Sequence, residues 1–428
     1  MTTTKPFRSS AALLAFLLTA SSAAAQAPDT ARLAALYEAR DCFTLREALA
    51  AGPADRAPET AFYRAFVAGA FNRPDESVRE AQRYLSWEGS ARAPGRRIEA
   101  ETILAENLVR AHRYGEAADV YARLLPEVAD SARRAGFAMA VQVFGALRGV
   151  PAQTVALAGE VRVPLTRDKA GLVNVEVAAG DTGERFVFDT GANLSTVTES
   201  TARAFGFRII DRPVEAGTAS GRNTAGRLAV APELKIGAAT VRNAVFLVLP
   251  DSALAFPQID YRIHGIVGFP VIAALGEVTL TRAGELVVEP ASATAAEGEP
   301  NLCLNGLEPL VRVAVGADTL HFGLDTGAQS STLFPPFHAL RRAELEPRGP
   351  ERTTRLGGAG GSREVRAFDY GPVTLSVGGR AATVERLSVL PERTIERSRF
   401  VYGDIGQDVI RQFEAMTLDF RRMRIRFR

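Results

Sequence analysis

The sequence predicts a multi-domain chain in which an α-helical repeat domain precedes an all-β region of two similar lobes. Three observations predict it. Residues from about 29 to 148 are rich in Ala, Leu, Glu and Arg, with apolar residues returning every three or four positions, the spacing that gathers them on one helix face. After Pro151 the texture changes to short apolar and β-branched runs, such as Val173 to Val177 and Phe186 to Phe188, punctuated by Gly, Asp and Asn. The β-rich part is then written twice, in one order and at nearly constant offset. A chain of 428 residues has room for about three domains with cores of their own.

The first 25 residues stand apart. Lys5 and Arg8 make a short basic start, Ala11 to Ala20 is an apolar run, and Ala23 to Ala25 supply the small residues of a cleavage site, so residues 1–25 read as an export signal. The run is shorter than the roughly 20 residues a spanning helix needs, and no later segment is long and apolar enough, so no membrane span is expected after signal removal. Residues 26–150 form the helical domain. Within it, Glu76 to Leu85 lines up with Glu116 to Leu125 at an offset of 40, each copy after an Arg-containing turn, and the second copy resembles a tetratricopeptide repeat. Such helical pairs imply either a docking surface for a protein partner or a cap on the next domain. Residues 155–290 and 301–428 are the two lobes, and the small, polar stretch 291–300, ending at Pro300, is the linker.

Composition removes several functions. With 51 Lys plus Arg against 49 Asp plus Glu, and near neutrality once the signal is gone, there is no electrostatic case for nucleic acid. Only Cys42 and Cys303 are present, which excludes a disulfide-stapled scaffold and a cysteine-rich metal site; two free or buried thiols are expected ahead of the one bridge that an oxidising compartment would permit if the fold brings them together. His112, His264, His321 and His338 are scattered without metal-ligand spacing, and no Gly-x-Ser-x-Gly elbow appears. A zinc hydrolase has little to build on, and His-dependent serine chemistry is disfavoured.

The duplication carries the chemistry. Phe186-Val187-Phe188-Asp189-Thr190-Gly191-Ala192 corresponds to Phe322-Gly323-Leu324-Asp325-Thr326-Gly327-Ala328, and Leu234-Lys235-Ile236-Gly237 to Leu375-Ser376-Val377-Gly378. Gly265-Ile266-Val267-Gly268-Phe269-Pro270-Val271-Ile272 then matches Gly403-Asp404-Ile405-Gly406-Gln407-Asp408-Val409-Ile410, before paired closing strands in each lobe. An apolar strand holds the backbone rigid, Asp projects from its end, Thr can bond across to a partner loop, and Gly lets two loops approach. A third tripeptide, Asp181-Thr182-Gly183, lies between two strands and reads as a hairpin turn. The tripeptide alone is therefore weak; the duplicated context is strong.

In these motifs residues 155–428 resemble the retropepsin-like and pepsin-like aspartic proteases, with each lobe supplying half a site. The resemblance implies a catalytic pair, Asp189 and Asp325, supported by Thr190, Gly191, Ala192, Thr326, Gly327 and Ala328. It implies that the two carboxylates share one proton and act as base and acid on a water that attacks the peptide carbonyl, as is general for that family, with no metal or organic cofactor required. Glycine-bearing stretches around Gly217 and Gly221 in the first lobe, and Gly358 and Gly360 in the second, correspond to flaps that close over an extended peptide. No Lys-Ser or Lys-Thr follows the second run, which leaves a phosphate loop without its essential residues. Pepsin-type lobes carry a hydroxyl directly after Asp-Thr-Gly; Ala192 and Ala328 have none, and a mildly acidic to neutral optimum is expected.

Asp404 departs from the pattern, standing where the first lobe has Ile266; the sequence leaves open whether it faces solvent or is buried, and burial would alter the support of Asp325 and weaken or abolish activity. The sequence reading is thus an exported aspartic endopeptidase acting on protein or peptide, monomeric, periplasmic or secreted, with a bacterial source inferred. The alternative is a non-catalytic peptide-binding scaffold using the same groove, which a buried Asp404 or separated carboxylates would favour.

Overall fold

The computed structural model describes residues 30–428 except 52–56, 218–222, 291–297, 346, 348–350, 359–360 and 394–395. The signal reading of residues 1–25 and most of the linker lie outside the described residues, as do Gly221 and Gly360.

Seven α-helices come first: α1 (Thr30–Glu38), α2 (Cys42–Ala51), α3 (Pro58–Ala70), α4 (Pro74–Leu85), α5 (Pro94–Arg110), α6 (Tyr114–Leu124) and α7 (Ser131–Ala146). Proline at the first turn of α3, α4 and α5 sits where the amide would have no helical partner. The turns of α1–α2, α3–α4 and α5–α6 share one device. Arg40, Asn72 and His112 take positive φ of 54°, 57° and 59°. The next amides, of Asp41, Arg73 and Arg113, return to Leu36, Ala68 and Leu108, closing each helix end with a backbone bond. The aligned segments 76–85 and 116–125 fall on α4 and on α6 with the residue after it.

Strands take over from Thr154, and the two halves of the β region are wired alike. In the first, strand Thr182–Phe188 pairs antiparallel with Val173–Ala179 and parallel with Gly265–Val267, in register Ile266 with Val187 and Val267 with Phe188. Gly265–Val267 also runs antiparallel to Ser195–Thr198. In the second, Asp318–Leu324 pairs with Glu308–Val315 and parallel with Gly403–Ile405, which runs antiparallel to Thr332–Leu333. A sheet joins the halves: Glu277–Thr281 pairs with Ala415–Asp419, and at its middle Thr279 faces Thr417, their hydroxyls 2.8 Å apart and buried. Apolar side chains such as Phe186, Phe188, Phe246, Phe269, Phe322 and Phe420 are wholly buried, so the strands that carry the Asp loops stand on packed rings.

The structure corrects the expectation of two free thiols: Cys42, first residue of α2, is disulfide-bonded to Cys303 on strand Leu302–Asn305. Folding lays α2 against the second half, where Phe43 packs on His321 and Arg312 lies 4.4 Å above the Phe43 ring. The bond ties helical and β regions across 261 residues of sequence. Asp181-Thr182-Gly183 spans the turn and first residues of a hairpin, with Ala179 opposite Thr182. Among the described residues no helix is long and apolar enough to cross a membrane.

Candidate active site

Each Asp-Thr-Gly-Ala loop leaves a buried strand and is held by the strand beside it. The Asp189 amide donates to Val267 O and the Asp325 amide to Ile405 O, both at 3.0 Å. Phe269 N donates to Ala192 O, and Gln407 N to Ala328 O. The loops are thus pinned on both sides of the carboxylate by equivalent bonds.

Threonine then locks loop to loop. Thr190 Oγ1 donates to Leu324 O at 2.7 Å and Thr326 Oγ1 to Phe188 O at 2.7 Å; each oxygen also accepts the other threonine's amide. Both side chains are fully buried, so two hydroxyls, two amides and two carbonyls satisfy one another without water. Glycine sets the approach. A Cβ on Gly191 would lie 2.6 Å from Asp325 Cγ, and one on Gly327 would lie 2.5–2.6 Å from the Asp189 carboxylate oxygens. Each carboxylate therefore rests against the opposite glycine. Within its own loop, Asp189 Oδ1 accepts the Gly191 amide at 2.8 Å and Asp325 Oδ1 the Gly327 amide at 3.0 Å, which fixes both side-chain rotamers. Asp189 and Asp325 are only half-buried, leaving a face open to the cleft.

Two nearby serine hydroxyls, those of Ser195 and Ser331, have other engagements. Ser195 Oγ accepts the Gly268 amide; Ser331 Oγ accepts the Gly406 amide and donates to Asp408 at 2.7 Å. Gly217 ends strand Arg208–Gly217, which forms a hairpin with Asn223–Ile236; Gly358 faces Gly361 at the end of the hairpin Arg352–Gly358 and Gly361–Tyr370.

Residues 173–271 match the model of the aspartyl protease family. No curated protein matches the chain. The matched aspartyl protease segment begins with Val173–Ala179, the antiparallel partner of the strand that leads into Asp189, and runs through Gly265–Val267 beside that strand; Asp325 and its loop lie outside it. The match supports a protease-like function for the β region.

Asp404 is not solvent-facing: at 6% exposure it is buried in the strand that carries Ile405. It faces Gly323 and Thr332 in the ladders, the interior position that Ile266 takes in the first half. Sequence reasoning also passed over Gln407. Its Nε2 donates to Thr326 O at 2.9 Å, while its Oε1 accepts from Arg167 of the first half, so it braces the second loop and links the halves. The signal was available: Gln407 and Asp408 are polar where the duplicated copy has Phe269 and Pro270. Among the described residues no group of three or more His, Cys, Asp or Glu could hold a metal ion.

Proposed function

We propose that the protein is an exported aspartic endopeptidase whose single site is Asp189 and Asp325 of one chain. The observation that carries this reading is the reciprocal Thr190–Thr326 lock, which sets each Asp carboxylate against the opposite glycine without a second chain. The mechanism in this reading is that of a carboxylate pair working with one proton between its two members. The charged member takes a proton from water as its oxygen attacks the scissile carbonyl; the protonated member donates to the carbonyl oxygen; the tetrahedral intermediate then breaks at the C–N bond with a proton passed to the leaving amine.

In this reading the hairpins ending at Gly217 and Gly358 are flaps over the bound peptide, and the β region is a two-lobed protease acting as a monomer. The helical hairpins act as tetratricopeptide-like repeats for a substrate or partner protein, in the periplasm or outside the cell. With alanine at 192 and 328, the activity optimum falls in the mildly acidic to neutral range, and Ala192→Ser with Ala328→Ser moves it to lower pH. The test is digestion of a diverse peptide mixture from pH 4 to 8, read by mass spectrometry, with Asp189→Asn and Asp325→Asn alongside.

One observation favours the second reading, a peptide-binding scaffold. The buried Asp404 beneath the second loop adds a charge-bearing group to the support of Asp325. Folded wild-type protein that binds peptides and cleaves none across that range would establish it.

A further inference from the structure

We propose that the cavity between the helical domain and the first Asp loop binds a basic side chain of the peptide substrate, so that the helical domain helps to set the specificity of the cleft. The proposal rests on the endopeptidase reading above. The cavity has a volume of about 280 Å³, near the lower end of ligand pockets at about 300 Å³ and suited to one side chain. Glu106 of α5, Tyr121 of α6 and Phe144 of α7 form one wall; Glu308 and Phe400 of the second half form the other. Asn193, four residues beyond Asp189, completes it.

The chemistry of the lining selects the ligand. It holds two carboxylates and three aromatic rings, and no Lys, Arg or His; Arg40 and Arg399 already lie 5.5 and 5.1 Å from the Phe400 ring centre. A guanidinium or ammonium gains from both, through charge-assisted hydrogen bonds to the carboxylates and stacking over the rings, while the rings accept its aliphatic stem. Among the described residues no hydrogen bond or ion pair engages the Glu106 carboxylate. Arg110, one turn further along α5, directs its guanidinium to Gly69 O, Asn72 Oδ1 and Asn107 Oδ1 instead. Burial raises the Glu106 carboxyl above its ordinary range, with Glu99 adding to the rise and Arg40, Arg110 and Arg133 opposing it. An arriving cation favours the charged form.

The other end of the cleft differs. There Gln329, the counterpart of Asn193, meets the turn Asp168–Gly171 of the first half directly, since a Cβ on Gly171 would lie 2.9 Å from Gln329 Oε1. That turn is held by Asp168, whose Oδ1 accepts the Ala170 and Leu172 amides and whose Oδ2 accepts from Asn174 and Tyr261. The Asn193 end has the helical domain for a wall, so selectivity for the charged residue falls on one side of the scissile bond.

The test uses peptides derived from a sequence the full-length mature protein cleaves, with one Arg moved through successive positions and each matched by the uncharged isostere citrulline. At one position the ratio of kcat/KM for Arg over citrulline is expected to exceed tenfold, and Glu106→Gln lowers that ratio at least fivefold. Glu308→Gln, on the opposite wall, carries the same readout if Glu106→Gln fails to fold by thermal unfolding. No position favouring Arg, or an unchanged ratio in the folded variants, overturns the pocket. If the wild type cleaves nothing, the same pairs are compared by fluorescence anisotropy. Preference for Arg that Glu106→Gln removes then supports the pocket and fails only the endopeptidase reading; equal or absent binding overturns the pocket.

Discussion

Thr190 and Thr326, 136 residues apart in sequence, exchange amide-to-hydroxyl hydrogen bonds of 3.0 and 3.1 Å at the centre of the β region. Each hydroxyl also caps the last carbonyl of the opposing strand, so removing one strands two backbone groups in a buried place. An unsatisfied buried group costs about 1–3 kcal/mol. Thr190→Val or Thr326→Val is therefore expected to destabilise the protein by about 2–5 kcal/mol and to lower peptide cleavage more than tenfold. Thr→Ser, which keeps the oxygen, recovers most of both, as denaturant titration and initial rates will read.

Gly191→Ala and Gly327→Ala test the close approach. The added methyl group enters the space of the opposite carboxylate, and neither loop can retreat without breaking the threonine lock. Each variant is expected to lose cleavage at least a hundredfold while circular dichroism still reports the wild-type strands. Near-wild-type rates in either variant contradict the geometry.

The Cys42–Cys303 bond clamps α2 to the second half. A disulfide that closes a long loop typically stabilises by about 2–4 kcal/mol. Cys42→Ser with Cys303→Ser is expected to lower Tm by several degrees, and thiol titration of denatured, unreduced wild type should find no free cysteine.

Acid is expected to weaken the same junction. Burial lowers the pKa of His321, with Asp41 opposing the fall and Arg312 adding to it. The unfolded chain, titrating near 6.5, takes up the proton first, so this contribution is present above that pH and is lost as pH falls below it. One such histidine gives a slope of at most about 1.4 kcal/mol per pH unit. His112, lowered by burial as well, acts in the same direction, and Glu106 in the opposite one. Unfolding free energies between pH 5 and 8 will show a shallower acid slope in His321→Gln.

The helical-then-β order and the twin Asp loops were legible because they are local: a 3.6-residue period, an alternating strand, and an Asp-Thr-Gly-Ala that always follows apolar residues. The context also separated Asp181 from Asp189, since Asp181 sits in a polar hairpin turn after Ala179-Gly180, whereas Asp189 follows Phe186-Val187-Phe188 directly. The disulfide was not legible, because nothing local says that residue 42 and residue 303 meet. The burial of Asp404 was not legible for a related reason. A carboxylate is placed outside by hydropathy, yet the ladder register with Gly323 and Thr332 puts it where Ile266 stands in the other half. The cavity at Glu106 escaped entirely, being lined by segments from residue 106 to residue 400 that only packing assembles.

The most direct measurement is complementation between Asp189→Asn and Asp325→Asn. Purified separately and then mixed, the two folded variants are assayed on peptides that the wild type cleaves. One site built within one chain predicts that each variant is inactive and that the mixture stays inactive. Cleavage surviving in either variant, or returning on mixing, would contradict a single dyad formed by Asp189 and Asp325 of the same chain.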